Sequence, residues 1–450
     1  MGRMRRVLLA GVAFFAFAGI AAAADLPARM PVKAPPVAPL AWNWTGFYIG
    51  GYFGNSLAQS SATNAYRPGE VHVNDMGIAA GATVGYNFQF APSWLIGIEG
   101  DFGILGTNRE FRDFNDTSIT VAVKTDWYGT LRGRFGYVTG PSLLYVTGGG
   151  AVAKIRETFG GDTGVLGVEE TTTRWGWTVG AGIETKLARG WSTTAEYLYI
   201  DFGDNSFVGN PYGAAATSTF SNKAHVLKTG LNYKFGEGPF DLTALFASPL
   251  SSPARWSGFY AGVNAGLGIS NVKVPQVMAP SFNGEENVNG LGFAGGGHIG
   301  YNYLAFSNWL VGVEGDFSYL GIDDVHGDWY DTSSGFGTKT DWYGTARVRV
   351  GTSTGPAYIY STGGVAFAKL TNEFAGVTSS ATKTGWTLGG GIETALDDRW
   401  SARVEYLYMD FGTNEVTSFG DVAQFQNRIQ VVRGGLTYSF NTPTPVVARY

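Results

Sequence analysis

Apolar and polar residues alternate through most of this chain. In the stretch from Trp94 to Phe102, Trp94, Ile96, Ile98, Gly100 and Phe102 share one side, and Glu99 and Asp101 share the other. Trp127, Leu131 and Phe135 oppose Asp126, Arg132 and Arg134 in the same way. Trp175, Trp177, Val179 and Ile183 oppose Arg174, Thr178 and Glu184, and Leu227, Leu231, Tyr233 and Phe235 oppose Lys228 and Asn232. A period of two belongs to a β-strand with two unlike faces. The pattern predicts eight strands in the first half: Thr45–Gly54, Gly77–Phe88, Trp94–Gly103, Lys124–Gly136, Leu143–Lys154, Thr173–Thr185, Trp191–Gly203 and His225–Phe235. Each is near the roughly 9–11 residues that a tilted strand needs to cross a bilayer. The gaps between them alternate. Those after the second, fourth and sixth strands are short (Gln89–Ser93, Tyr137–Ser142 and Lys186–Gly190), and the others are long and polar. Short turns on one side and long loops on the other are the layout of a transmembrane barrel.

The second half says the same thing again. Trp44-Thr45-Gly46-Phe47-Tyr48 returns as Trp256-Ser257-Gly258-Phe259-Tyr260, and the block Trp94 to Phe102 returns as Trp309 to Phe317. Lys124 to Thr130 returns unchanged as Lys339 to Thr345, and Glu196 to Tyr199 returns as Glu405 to Tyr408. The spacing between matched blocks drifts, so the blocks are regular elements and the gaps between them are loops. The short turns recur at Leu304–Asn308, Thr352–Pro356 and Ala395–Arg399. The expected fold is all-β: two tandem eight-stranded antiparallel transmembrane β-barrels after a cleaved signal peptide.

The ends fit export. Arg3, Arg5 and Arg6 precede an apolar run from Val7 to Ile20 and a small-residue site at Ala22-Ala23-Ala24, which predicts a signal peptide over 1–24 cut between Ala24 and Asp25. A proline-rich lead-in follows over 25–42, then barrel one over 43–235, a linker over 236–254, barrel two over 255–440 and a tail over 441–450. Lys and Arg number 31 against 36 Asp and Glu, and loss of the signal arginines makes the mature chain more acidic still, so nucleic acid is not an expected partner. Cysteine is absent, which removes disulfide frameworks and thiol chemistry. The 67 glycines and 15% aromatic content, without a long apolar run after the signal, suit a barrel or a secreted β-protein and exclude a membrane helix.

Faces then assign roles. An Arg or Lys facing lipid at the midplane costs about 2–4 kcal/mol, so the charged faces must point into the lumen. The inward set in copy one is Glu99, Asp101, Arg132, Arg134, Glu184, Glu196 and Lys228. In copy two it is Glu314, Asp316, Arg347, Arg349, Glu393, Arg403, Glu405 and Arg433. An eight-stranded barrel is just wide enough to be filled by its own side chains. Charges there are costly unless paired, so this set predicts a salt-bridged plug rather than an ion-selective constriction. Trp44, Trp94, Trp127, Trp175 and Trp191, with Trp256, Trp309, Trp342, Trp386 and Trp400, fall near strand ends and are expected to form aromatic belts at the two membrane interfaces.

The blocks around Trp44 to Gly51, Asp126 to Thr130, Glu196 to Tyr199 and Tyr233-Lys234-Phe235, occurring in order and twice, resemble the small outer-membrane β-barrels of the alphaproteobacterial immunogenic surface-antigen type, which are similar to opacity-protein barrels. The resemblance covers Asn43–Phe235 and again Trp256–Phe440. It implies a bacterial outer-membrane location, with long loops extracellular and termini and linker periplasmic. It also implies a structural, surface-exposed role, contact with outer-membrane lipid, and handling by the barrel-assembly machinery through a terminal aromatic. Family members usually carry one barrel per chain, so the tandem arrangement is a departure.

Two other functions remain in play on the residues alone. The sixteen strands would give a porin-like diffusion channel if they closed into one wide barrel. The long linker argues against this. Loop histidines would serve a haem or host-ligand receptor, and His72 and His326 are expected in long loops while His225 and His298 lie on strands. The strand histidines are not repeated between copies: Gln430 matches His225, and Thr83 matches His298. No grouping of nucleophile, base and orienting acid emerges, so no catalytic residue, cofactor or metal is assigned, and the extracellular ligand is left unnamed.

Overall fold

The computed structural model describes residues 43–441, except 65–66, 113–119, 160–167, 189, 209–216, 239, 242–252, 275–276, 279–285, 328–334 and 355–356. The expected signal peptide, its cleavage site at Ala24 and Asp25, the proline-rich lead-in, most of the linker and residues 442–450 lie outside the described residues.

The chain runs β1 (Gly46–Asn64), β2 (Arg67–Ala91), β3 (Trp94–Ile104), β4 (Thr107–Arg112), β5 (Thr120–Thr139), β6 (Ser142–Phe159), β7 (Val168–Ala188), β8 (Trp191–Val208) and β9 (Thr217–Lys234). A short 3-10 turn at Pro253–Trp256 leads into β10 (Gly258–Val274), β11 (Val277–Met278), β12 (Glu286–Val288), β13 (Leu291–Phe306) and β14 (Trp309–Gly327). The last strands are β15 (Gly335–Thr354), β16 (Ala357–Phe374), β17 (Val377–Ala395), β18 (Trp400–Ser418) and β19 (Asp421–Ser439). All neighbours pair antiparallel. β3 and β4 both pair with β5 and act as one stave, and β11 and β12 are short additions to β19 and β10.

Each half closes on itself. β1 pairs with β9 from Tyr48↔Lys234 to Asn64↔Ser218, and β10 pairs with β19 from Tyr260↔Ser439 to Lys273↔Gln426. The result is two eight-staved rings, and the single sixteen-stranded barrel is not formed. Closure gives the end staves β1 and β9, and β10 and β19, a hydrogen-bonded neighbour on both sides, which is what a strand in lipid requires. The rings touch at their short-turn ends, where Ser142 Oγ lies 2.7 Å from Thr394 Oγ1 and Ala357 packs with Leu187, Trp191 and Tyr233.

The strands are longer than expected. β2 has 25 residues, and the β1–β2 ladder continues out to Thr63↔Glu70 where a long loop was anticipated. Backbone donors and acceptors beyond the bilayer still need partners, and extending a hairpin supplies them. His72 and His326 consequently stand on β2 and β14 rather than in loops.

The faces sort by alternation. Ile98 is 53% exposed on the outside of the ring and Trp175 is 77% exposed, while Glu99, Arg132 and Glu184 are buried inside. Two departures have physical causes. A bulge between Thr125 and Trp127 breaks the alternation, so Asp126 leaves the face it was expected to share with Arg132 and Arg134 and pairs with Lys124 at 3.3 Å. Trp44 and Trp256 do not join the belts. They precede the first strand of each ring and turn inward, leaving Trp44 3% and Trp256 7% exposed. Trp44 packs with Leu95, Val138, Leu143 and Tyr145, and Trp256 packs with Leu310, Tyr358, Tyr360 and Ala395. Trp191 faces outward but is covered by Tyr233 and by Phe240 of the linker.

Candidate functional site

The interior of each ring is layered. At the short-turn end the inward indole of Trp44 or Trp256 fills the bore. At the other end the bore is apolar. Ala62, Leu105, Val121, Phe159 and Phe220 meet inside the first ring, and Val272, Phe336, Phe374, Val416 and Phe425 inside the second. Between these layers lies the charged one.

In the first ring Arg132 and Arg134 project from β5 into a set of carboxylates. Arg132 Nη2 reaches Glu99 Oε1 at 2.5 Å and Asp101 Oδ2 at 2.6 Å, and its Nη1 reaches Glu196 Oε1 at 2.9 Å. Arg134 joins Glu99 at 3.1 Å to Glu184 at 2.8 Å across the bore. Lys228 Nζ binds Asp101 at 2.5 Å and Glu196 at 3.0 Å. Strands on opposite walls are thereby tied together.

The second ring repeats the network with one more cation. Arg347 bonds Glu314, reaches Asp316 at 2.8 Å and reaches Glu405 at 3.0 Å. Arg349 spans Glu314 and Glu393, each at 3.0 Å. Arg433 binds Asp316 at 3.0 Å and Glu405 at 2.6 Å, and Arg403 binds Glu314 at 2.7 Å. His298 also enters this lumen and meets Thr437 Oγ1 at 3.1 Å. His225 faces outward between Tyr197 at 2.8 Å and Gln59 at 2.9 Å.

The charge pattern alone did not reveal the tyrosines that complete the network. Tyr48 donates to Glu99 Oε2 at 2.6 Å and accepts from Arg134 at 2.5 Å, and Tyr145 donates to Glu196 at 2.8 Å. Tyr260 and Tyr360 do the same to Glu314 at 2.9 Å and Glu405 at 3.0 Å. The guanidiniums of Arg134 and Arg349 sit 3.9 Å and 3.8 Å from the ring centroids of Tyr145 and Tyr360. The signal was present: Tyr48 and Tyr260 alternate with outward Phe47 and Phe259 in the repeated opening block. Glycine makes the room, since a Cβ on Gly85 or Gly300 would collide with the Tyr48 or Tyr260 hydroxyl.

Outside the bilayer-spanning part, the mouth of the first ring is closed by a second cluster. Lys186 binds Glu237 at 2.7 Å and the Asn43 carbonyl at 3.0 Å, and Lys234 binds the same Glu237 oxygen at 2.8 Å. Burial alone would raise Glu237, but the hydrogen bonds from Lys186 and Lys234 bring it below the usual carboxylate range. At the opposite end Glu157 is buried among Asn205 and Asn222, which donate to it at 2.5 Å and 2.6 Å. Burial holds its carboxyl above the ordinary range, against those hydrogen bonds and the nearby Arg174.

Three carboxylates of the first ring, Glu99, Asp101 and Glu196, place oxygens within 4.8 Å of one another. The chemistry of the layer as a whole is ion pairing. Arg132 and Arg347 are enclosed by carboxylates on several staves, which makes the layer a cross-brace.

The family model described as "Outer membrane protein beta-barrel domain" matches residues 10–235 and 241–440. The 31 kDa outer-membrane immunogenic protein of Brucella melitensis is 34% identical over 52% of this chain and 100% of its own length. The 25 kDa outer-membrane immunogenic protein of Brucella abortus is 30% identical over 52% of this chain and 100% of its own length. The 22 kDa outer membrane protein of Rhizobium leguminosarum is 34% identical over 45% of this chain and 88% of its own. A whole relative thus corresponds to about half of this chain, the length of one ring.

Proposed function

The chain belongs to the outer membrane protein β-barrel family, and from that premise we propose that its two rings are closed, surface-exposed structural barrels whose lumens pass no solute. It is an outer-membrane protein in contact with membrane lipid, through the outward apolar faces of its staves. The observation that carries the closed-lumen reading is the charged layer: Arg132, Arg347, Arg349 and Arg433 have no solvent-exposed side-chain surface, and each reaches a carboxylate on a stave that is not its ladder neighbour. A bore that narrow, crossed by ion pairs and capped by apolar layers, leaves no water path.

The finer assignments belong to the same proposal. Export follows cleavage between Ala24 and Asp25. The barrels span 43–235 and 255–440, their short turns and the linker face the periplasm, and the long hairpins reach outside the cell. The lumen charges of both rings are braces, not catalytic groups, and the outward tryptophans Trp94, Trp127, Trp175, Trp309, Trp342, Trp386 and Trp400 anchor the two interfaces. The relatives' names describe immunogenic outer-membrane proteins and no reaction, which supports a non-enzymatic role here. The barrel-assembly machinery is the partner during biogenesis. Planar-bilayer recording of the purified chain tests the proposal: baseline current without steady steps is expected, and stable channels of porin size would overturn it.

A further inference from the structure

The rings meet through the same part of each copy. Ser142 opens β6 opposite Thr185, and Ala357 opens β16 opposite Thr394. Thr185 follows the inward Glu184 and Thr394 follows the inward Glu393, so alternation points all four side chains out of the rings. Higher on the same staves, outward residues such as Val146 and Val365 are exposed, but these four are buried. A hydroxyl facing hydrocarbon costs free energy unless it is bonded. Ser142 Oγ lies 3.2 Å from Thr185 Oγ1 in its own ring and 2.7 Å from Thr394 Oγ1 in the other.

The contact is reciprocal. β6 reaches β17 through Ser142 and Thr394, and β16 reaches the first ring through Ala357, against Leu187 on β7 and Trp191 on β8. β16 and β17 repeat β6 and β7, so each ring offers the other one face. The pattern recurs elsewhere: β14 meets β2, and β12 meets β4. β14 repeats the stave made by β3 and β4, and β12 pairs with the outer end of β10 as the outer half of β2 pairs with β1. Exchanging the copies turns each contact into another one, which marks a two-fold, isologous interface. β4 and β12 lie at the ends away from the short turns, so the rings touch at both ends of their staves and stand side by side in the same sense. The symmetry is approximate, since Phe240 of the linker covers Trp191 and leaves its copy Trp400 exposed.

We infer that the two rings form a fixed pair in the membrane, related by a two-fold axis along the membrane normal, with the outward short-turn ends of β6–β7 and β16–β17 as the interface. The partner of each ring is the other copy, so the surface is used up within one chain. Lipid gives apolar side chains little reason to associate, and small residues with bonds between the elements hold such contacts instead. The pairing requires both rings in one membrane and is independent of whether the lumens pass solute.

The chain has no cysteine, so introduced thiols react alone. Ser142→Cys with Thr394→Cys puts two sulfurs where the hydroxyls lie 2.7 Å apart, within disulfide reach. Phe47→Cys with Thr394→Cys is the control, because Phe47 is exposed on β1, across the first ring from β6. The full-length protein is oxidised in outer membranes with copper phenanthroline, denatured, and tagged with polyethylene-glycol maleimide. The seam pair is expected to give an untagged monomer that takes up two tags after reduction. The control pair should take up two tags without reduction. Adding Ala357→Trp to the seam pair should restore the tags while the rings keep their heat-modifiable mobility; if that variant does not fold, the two cysteine pairs decide alone. Equal tagging of the seam and control pairs would overturn the pairing. So would disulfide-linked dimers of two chains, because the surface would then face a second molecule. A seam pair that stays tagged in protein that reaches the outer membrane and passes no current would sink the pairing and leave the closed-lumen reading standing.

Discussion

Replacing Arg347 with methionine, and Arg349 with methionine in a separate variant, tests whether the lumen network is a brace with unequal members. Both side chains are fully buried. Removing one partner of a buried ion pair costs about 3–5 kcal/mol, because the other charge is left uncompensated. The two arginines differ in what they leave behind. Without Arg347, Glu314 keeps Arg403 at 2.7 Å and Arg349 at 3.0 Å, and both Asp316 and Glu405 keep Arg433, at 3.0 Å and 2.6 Å. No carboxylate is orphaned, so the cost should sit near the lower end, about 3 kcal/mol. Without Arg349, Glu393 keeps the Ser401 hydroxyl at 2.6 Å but loses its ion pair, and the stack on Tyr360 is lost as well. That cost should approach about 5 kcal/mol. The difference of about 2 kcal/mol corresponds to roughly a 30-fold ratio in the unfolding equilibrium. Urea titration of vesicle-folded protein, followed by tryptophan fluorescence, measures it. Equal losses, a larger loss for Arg347→Met, or losses below about 1 kcal/mol in both would refute the brace.

Ile98→Arg should impair membrane insertion by about 2–4 kcal/mol, since it puts a charge on the lipid face, whereas the inward neighbour Glu99→Gln should insert with far less loss; partition between folded and unfolded bands in gels without boiling reads both, and the reverse order would invert the facing assignment. A chain ending at Phe235 should insert alone and run as a heat-modifiable barrel, because β1 already closes on β9; failure to fold without the second half would count against ring autonomy. Glu157→Gln should raise stability near neutral pH. The buried carboxyl has its folded value above the unfolded one, so wild-type stability is greatest below the ordinary glutamate range of about 4 and falls as pH rises through the raised value. The gap between variant and wild type should therefore close on acidification, and a gap that widens there would refute the assignment.

Much of this architecture was legible because a period of two is a local signal. Ile98 outward and Glu99 inward follow from alternation alone, and the repeat of Trp94 to Phe102 in Trp309 to Phe317 doubles the statement. The faces of Arg132 and Arg134 followed from the cost of a charge in lipid. The misreadings came where alternation breaks or ends. Asp126 sits beside a bulge, which shifts the register without a residue type to announce it. Trp44 and Trp256 precede their strands, so the period does not reach them, and the open mouth of the bore rather than the lipid decides where the indoles go. His72 was expected in a loop because polar residues surround it, yet polar strands persist wherever a hairpin partner continues. The Ser142–Thr394 meeting joins residues from different rings, and no pattern within either copy encodes it.

The pairing of β1 with β9, rather than with anything in the second half, also sets an order of events. A ring in lipid is safe only once its two edges have met, and until then a row of unpaired amides and carbonyls faces hydrocarbon. Here the first ring has all its staves when β9 arrives, and its seam can zip while the second half is still being delivered. A chain that needed β1 to wait for β19 would hold an open edge for twice as much sequence, inviting pairing with a neighbour's edge instead. Duplication by closed units thus lengthens the protein without lengthening its most vulnerable interval.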